Sequence, residues 1–214
     1  MVVAAKTNPS QGAKGISLFL VEDGTEGFRK GVPFEKVGMH AQDTCELFFD
    51  DVKVPKGNLI GGLNQGFIHM MTELPQERLV VGIGGLAAAQ GALEETIRYV
   101  KERKAFGKSI SDFQNTRFKL AEAASQVAMA WSFLDRCIEL HNAKELDSAR
   151  ASMVKYLLTE LQGTVIDTCV QLHGGYGYMW EYYVARAYAD ARAQRIYAGS
   201  NEIMKELIAR EILK

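Results

Sequence analysis

FKLAEAASQVAMAWSFLDRCIELHN (residues 118–142) and SARASMVKYLLTELQGTVIDTCVQLH (residues 148–173) decide the fold. In the first, Leu120, Ala124, Val127, Trp131, Leu134 and Ile138 recur at alternating spacings of four and three. In the second, Val154, Leu158, Leu161, Val165, Thr168 and Leu172 do the same. That period stacks apolar side chains along one face of a helix. Only a short polar link, Asn142 to Asp147, separates the two stretches, which predicts antiparallel neighbours in a bundle.

Upstream, Leu86, Leu93, Ile97 and Val100 stripe another helix, with Glu94 and Arg98 spaced as a surface pair. Gly82, Gly84, Gly85 and Gly91 fall inside it. Each glycine there costs about 1 kcal/mol against alanine, and close packing is the natural compensation. Pro75 is expected to kink or start a helix near Glu77. Ser111 and Gln114 fit a capping box, Asp147 or Ser148 caps the next helix, and Gly174 and Gly175 stop it after His173. A shorter helix is expected from about Tyr182 to Arg192. Ser200 would cap a last one with Ile203, Leu207, Ile208 and Ile212 facing inward.

Residues 1–60 have a different period. Gly15 to Val21 and Cys45 to Val54 read as extended runs, the second closed by Pro55-Lys56-Gly57. So few strands leave edges unpaired, and they are expected to be the tail of a larger sheet in a truncated chain. The predicted fold class is therefore mainly α: an antiparallel up-and-down helical bundle at residues 61–214, preceded by the C-terminal part of a β-domain at residues 1–60.

A formal net charge of -1 argues against a nucleic-acid binder, and no apolar run is long enough to span a bilayer. Cys45, Cys137 and Cys169 form no paired framework, which favours a reducing compartment. His40, His69, His141 and His173 have no metal-ligand spacing.

Four segments stand out together: Glu73 to Leu79; Arg103 to Lys108 with Phe113-Gln114; Gln171 to Tyr178; and Tyr197-Ala198-Gly199-Ser200-Asn201-Glu202. Their order and spacing resemble the C-terminal half of the acyl-CoA dehydrogenase family, most of all its long-chain branch. On this resemblance, residues 1–60 correspond to the end of the family's middle β-domain and residues 61–214 to its C-terminal helical domain. The resemblance implies an FAD enzyme that oxidises acyl-CoA thioesters to trans-2-enoyl-CoA. It also implies a homotetramer in fatty-acid β-oxidation, with electron-transfer flavoprotein as electron acceptor, in the mitochondrial matrix or the bacterial cytoplasm. Isovaleryl-type specificity, or a non-catalytic oligomerisation module, is the alternative. Because the family's missing parts supply flavin-ring contacts, the chain alone is expected to retain flavin weakly or not at all.

Most of the family has a catalytic glutamate where this chain has Ala198, and alanine takes no proton. The long-chain and isovaleryl branches place the base on an upstream helix, at the position matching Glu77. Thioester α-protons are weakly acidic, so one well-placed carboxylate is essential. Glu73, one turn earlier, is the rival and reads as a surface carboxylate. By the same resemblance Gln76, Arg78, Ala198 and Gly199 contact substrate. Arg103 and Gln114 contact FAD, as do Gln171, Leu172, His173, Gly174 and Gly175, and Ser200, Asn201 and Glu202. Read alone, Arg103 is a helix C-terminal cation and Glu202 a first-turn carboxylate.

Overall fold

The computed structural model describes residues 1–214. The chain divides into two compact units, one of Met1–Lys36 and His40–Leu74, the other of Val37–Met39 and Pro75–Lys214.

In the first unit, β1 (Val2–Lys6), β2 (Ile16–Leu20) and β5 (Leu59–Ile60) form an antiparallel sheet in the order β1-β2-β5, with Val2 opposite Leu20 and Leu18 opposite Ile60. β3 (Phe28–Lys30) pairs antiparallel with β4 (Leu47–Phe49), where Phe28 stacks on Phe49. The extended run expected from Cys45 to Val54 shrinks to β4, because the chain turns at Asp51, whose φ is 48°. Leu47, Phe48 and Phe49 all remain exposed.

The second unit is the bundle. α1 (Gly66–Glu102) runs unbroken through Pro75, the point at which the two units divide. A β-hairpin, β6 (Lys104–Ala105) and β7 (Lys108–Ser109), follows it. Then come α2 (Gln114–Asn142), α3 (Ser148–His173), α4 (Tyr183–Gln194) and α5 (Asn201–Ile212). α3 packs against α2, α4 and α5 and is buried along its length. One contiguous core joins Leu79, Leu86 and Leu93 of α1 to Val127 and Leu134 of α2, Val154, Leu158 and Val165 of α3, and Val184 of α4. The α1 glycines divide by surroundings. A Cβ at Gly82 would lie 2.4 Å from Val154 Cγ1, whereas one at Gly84 would meet nothing within 4 Å.

Several local expectations need correction. The capping box belongs to Ser109 and Asp112 around the turn Ile110–Asp112, while the N-cap residue of α2 is Phe113, which offers no side-chain cap. Ser111 spends its hydroxyl on Ser109 Oγ. Arg98 pairs with Glu95, and Glu94 instead accepts from Gln90. Ala123 faces the α2 core in place of Ala124. In α5 the buried pair is Asn201 and Met204, with Ile203 and Ile212 exposed, because the face turned to α3 starts with the polar Asn201. Asp147 caps α3 through the Arg150 N–H, and Gly174 ends it with φ 60°.

Candidate active site

Glu73 belongs to the first unit, and most of the other residues singled out from the sequence lie in two places within the second. One is an open groove of about 940 Å³. Its walls include Arg103 and Tyr99 from the end of α1, Phe113 and Thr116 from the start of α2, and Gln171, Leu172, His173, Gly174, Gly175 and Tyr176 from the end of α3. Gln114 is exposed between two wall residues, Phe113 and Asn115, and is not itself part of the wall.

The groove's chemistry is mixed. Arg103 is exposed and its guanidinium lies over the Tyr176 ring, 5.2 Å from the centroid. His173 is buried, its ring stacked on Tyr99 at 4.1 Å. Its Nδ1–H donates to the Cys169 carbonyl at 2.8 Å, which leaves Nε2 as an acceptor. Burial draws its pKa below the ordinary value, with the Cys169 bond and Glu95 opposing, so the ring is neutral at pH 7. Nothing lies within 4 Å of where a Cβ would stand at Gly174 or Gly175. A free guanidinium, aromatic faces and a bare backbone fit a diphosphate-bearing cofactor such as FAD.

The second place is built around α3. Arg78 is buried, and its Nη1 donates to Ser148 Oγ at 3.1 Å and Ser152 Oγ at 3.4 Å. Burial lowers its pKa, while neighbouring Glu77 acts in the opposite sense. This guanidinium pins one turn of α1 to the first turns of α3. Gln76 and Glu77, on the same turn, are exposed, and Glu77 makes no hydrogen bond or ion pair beyond that electrostatic neighbour. Glu73 is exposed too.

One turn further along α3 stands Lys155, fully buried. Its ammonium donates to the Gly199 carbonyl and to Asn201 Oδ1, each at 2.8 Å. Asn201 Nδ2 donates to Glu160 Oε1 at 2.8 Å and to Thr159 Oγ1 at 3.1 Å. Arg195 closes on Glu160 at 3.4 Å. Burial lowers the Lys155 pKa to about 8, with Glu160 and Glu202 holding it up and Arg78 pressing it down. The loop held in this way has Ala198 at φ 55° and Gly199 at φ 86°. For alanine that left-handed conformation costs roughly 1–2 kcal/mol, so the loop stays in place because its surroundings compel it.

The side chain of Asn201 is thus committed to the interior. Glu202 is exposed, and its carboxylate accepts its own N–H and the Ser200 hydroxyl, which lowers its pKa. Ser200 is the N-cap residue of α5 but caps it with no side-chain bond of its own. Lys155, Thr159 and Glu160 were not singled out from the sequence. The signal was nevertheless present: Ser152, Lys155, Thr159 and Gln162 repeat at spacings of three and four, a second stripe on α3, and all four are buried.

Residues 64–213 match the family description "Acyl-CoA dehydrogenase, C-terminal domain". The chain belongs to the acyl-CoA dehydrogenase family. It is 54% identical over 215 residues to the mitochondrial long-chain specific acyl-CoA dehydrogenase of Rattus norvegicus, covering 100% of this chain and 50% of that protein. The acyl-CoA dehydrogenase of Geobacillus kaustophilus superposes with a TM-score of 0.95 at 50% identity, covering 99% of this chain and 56% of that one. A structure described as the electron transferring flavoprotein of Acidaminococcus fermentans superposes equally well, with a TM-score of 0.95 at 38% identity over 100% of this chain and 56% of its own. The chain therefore spans about half the length of the curated relatives it matches. None of its helices is long and apolar enough to cross a membrane.

Proposed function

We propose that this chain is the base-bearing half of an FAD-dependent enzyme that oxidises acyl-CoA thioesters, long-chain ones, to trans-2-enoyl-CoA, with Glu77 as the proton acceptor. One observation carries the reading. Arg78 is bonded to Ser152, Ser152 lies one turn before Lys155, and Lys155 is bonded to Gly199. This run of contacts ties the turn bearing Glu77 to the loop bearing Ala198 and Gly199. A carboxylate is available on the helix, and the loop, with alanine at 198, offers none.

In this reading Glu77 accepts the proton from the carbon next to the thioester carbonyl. Its exposure in this chain is what a base facing a substrate cleft requires, since an internal ion pair would hold it back. Arg78, with Gln76, borders the substrate. It fixes the turn, so the neighbouring carboxylate keeps its direction. Ala198 and Gly199 form the opposing surface, where a small side chain leaves room for the acyl group. FAD, when bound, supplies the hydride acceptor for the β-carbon. Arg103 and the backbone of Gly174 and Gly175 would hold its diphosphate end, and His173 Nε2 would be available to accept a hydrogen bond from it. Gln114, Gln171, Leu172, Ser200 and Glu202 are assigned to the periphery of the same cofactor. The long-chain assignment rests on the 54% identity to the rat enzyme.

The reading extends to an electron-transfer flavoprotein as electron acceptor, supported by the kinship with the Acidaminococcus structure. It also extends to a homotetramer in the mitochondrial matrix or the bacterial cytoplasm. The test is Glu77→Gln in the intact flavoprotein carrying this chain. Turnover of palmitoyl-CoA should fall by a factor of about 10²–10⁴, the usual contribution of a general base, with flavin content unchanged. Wild-type turnover in that variant removes Glu77 from the reaction.

A further inference from the structure

We infer that Lys155 is a positioning residue for the reaction: its buried ammonium holds the Ala198–Gly199 loop in the conformation that faces the substrate. The inference rests on the function proposed above for the consequence, and on geometry alone for the cause.

Four observations converge on it. Lys155 is fully buried although it carries a charge, which is costly unless every proton finds an acceptor. Two of its three protons are placed, on the Gly199 carbonyl and on Asn201 Oδ1. Asn201 Nδ2 spends both of its protons, on Thr159 Oγ1 and Glu160 Oε1, and the Thr159 hydroxyl donates to the Lys155 carbonyl, so the amide is held in one orientation. The held segment also carries two consecutive left-handed residues, Ala198 and Gly199, and unlike the other such pair, Phe106-Gly107, it has no β-hairpin ladder to hold it. A backbone in that conformation needs an external constraint, and the bond from Lys155 to the carbonyl between Gly199 and Ser200 is positioned to supply it. Charged groups reach the ammonium from every side: Glu160 on its own helix, Glu202 on α5 and Arg78 on α1. The two carboxylates keep it protonated against burial. Lys155 touches neither proposed base nor substrate. It acts through the loop.

Lys155→Met tests this, because methionine keeps an unbranched stem and removes the charge and its protons. Amide hydrogen exchange of a peptide spanning 196–204 is compared between wild type and variant, with α2 as the internal reference. Protection in 196–204 should fall at least about tenfold, the size expected for losing a hydrogen bond from a charged donor, while α2 is unchanged. Equal exchange in both proteins, or an equal loss in α2, overturns the inference. If Lys155→Met does not fold, Thr159→Val must loosen the same peptide to a smaller degree, and an unaltered loop there overturns it as well. In the intact flavoprotein, Lys155→Met should lower kcat for palmitoyl-CoA at least about tenfold, with bound flavin unchanged and Tm within a few degrees of wild type. Full kcat with a loosened loop rejects the positioning role. An intact wild-type protein that oxidises no acyl-CoA refutes the proposed function but leaves the exchange result to decide the cause.

Discussion

Gly82 and Gly84 sit two residues apart on one helix, and alanine should act on them in opposite directions. At Gly84 an added Cβ meets nothing within 4 Å, and the position is exposed. Only the helix preference for alanine remains, so Gly84→Ala should stabilise the bundle by roughly 0.5–1 kcal/mol. At Gly82 the Cβ would stand 2.4 Å from Val154 Cγ1 and 3.2 Å from the Val154 carbonyl oxygen. Val154 is wholly buried in α3 and β-branched, so its methyl has no free rotamer to escape into. Overpacking of this kind costs up to about 3 kcal/mol, and subtracting the same propensity gain leaves a net loss of up to about 2.5 kcal/mol. At roughly 2–4 °C per kcal/mol for a chain of this size, Gly84→Ala should melt about 1–4 °C above wild type and Gly82→Ala below it. Far-ultraviolet circular dichroism during urea unfolding reads the helical signal directly. Two shifts of the same sign would refute the account of why α1 tolerates its glycines.

The remaining predictions concern the loop and its anchor. Gly199→Ala should destabilise the chain by about 1–3 kcal/mol in the same urea assay, since it puts a Cβ on a backbone at φ 86° and 2.8 Å from Met204 Cε; an unaffected midpoint contradicts the loop geometry. Lys155 should leave a signature in stability against pH. Its pKa is about 8 in the folded chain and near 10.5 unfolded, so between those values the unfolded chain binds more protons and wild type gains stability as pH rises. Measured against Lys155→Met, the gain should begin near pH 8, reach at most about 3 kcal/mol above pH 10.5, and disappear as pH falls through 8. A difference that is flat from pH 7 to 11 contradicts the buried ammonium.

The bundle was legible because its signal is periodic. The apolar stripes of α2 and α3 are short-range patterns that tertiary contacts reinforce, and Leu134, Val154, Leu158 and Val165 did prove to be core. Gly174 was legible because few residues other than glycine end a helix at positive φ. Errors fell where a residue's role depends on what lies across from it. Ile203 and Ile212 look like inward residues, yet α5 meets α3 through Asn201 and Met204. Arg78 looks like a surface cation until Ser148 and Ser152 are seen beside it, 70 residues or more along the chain. Lys155 is hidden for a similar reason: a lysine between Val154 and Tyr156 reads as a solvated side chain, and only the Ser152-Lys155-Thr159-Gln162 spacing hints that α3 has a second, polar face that is buried. The groove behaved differently. Arg103 and the segment from Gln171 to Gly175 were picked out one by one, and the fold brings them to one wall.

The base itself can be tested apart from the rest of the turnover. An acyl-CoA analogue that cannot release a hydride from its β-carbon is incubated in D₂O with the intact flavoprotein, and α-deuterium uptake is followed by mass spectrometry. Uptake should be fast with wild type and slower by at least about a hundredfold with Glu77→Gln, since the only group removed is the proton acceptor. Deuterium entering at the wild-type rate in that variant would mean that another group takes the proton.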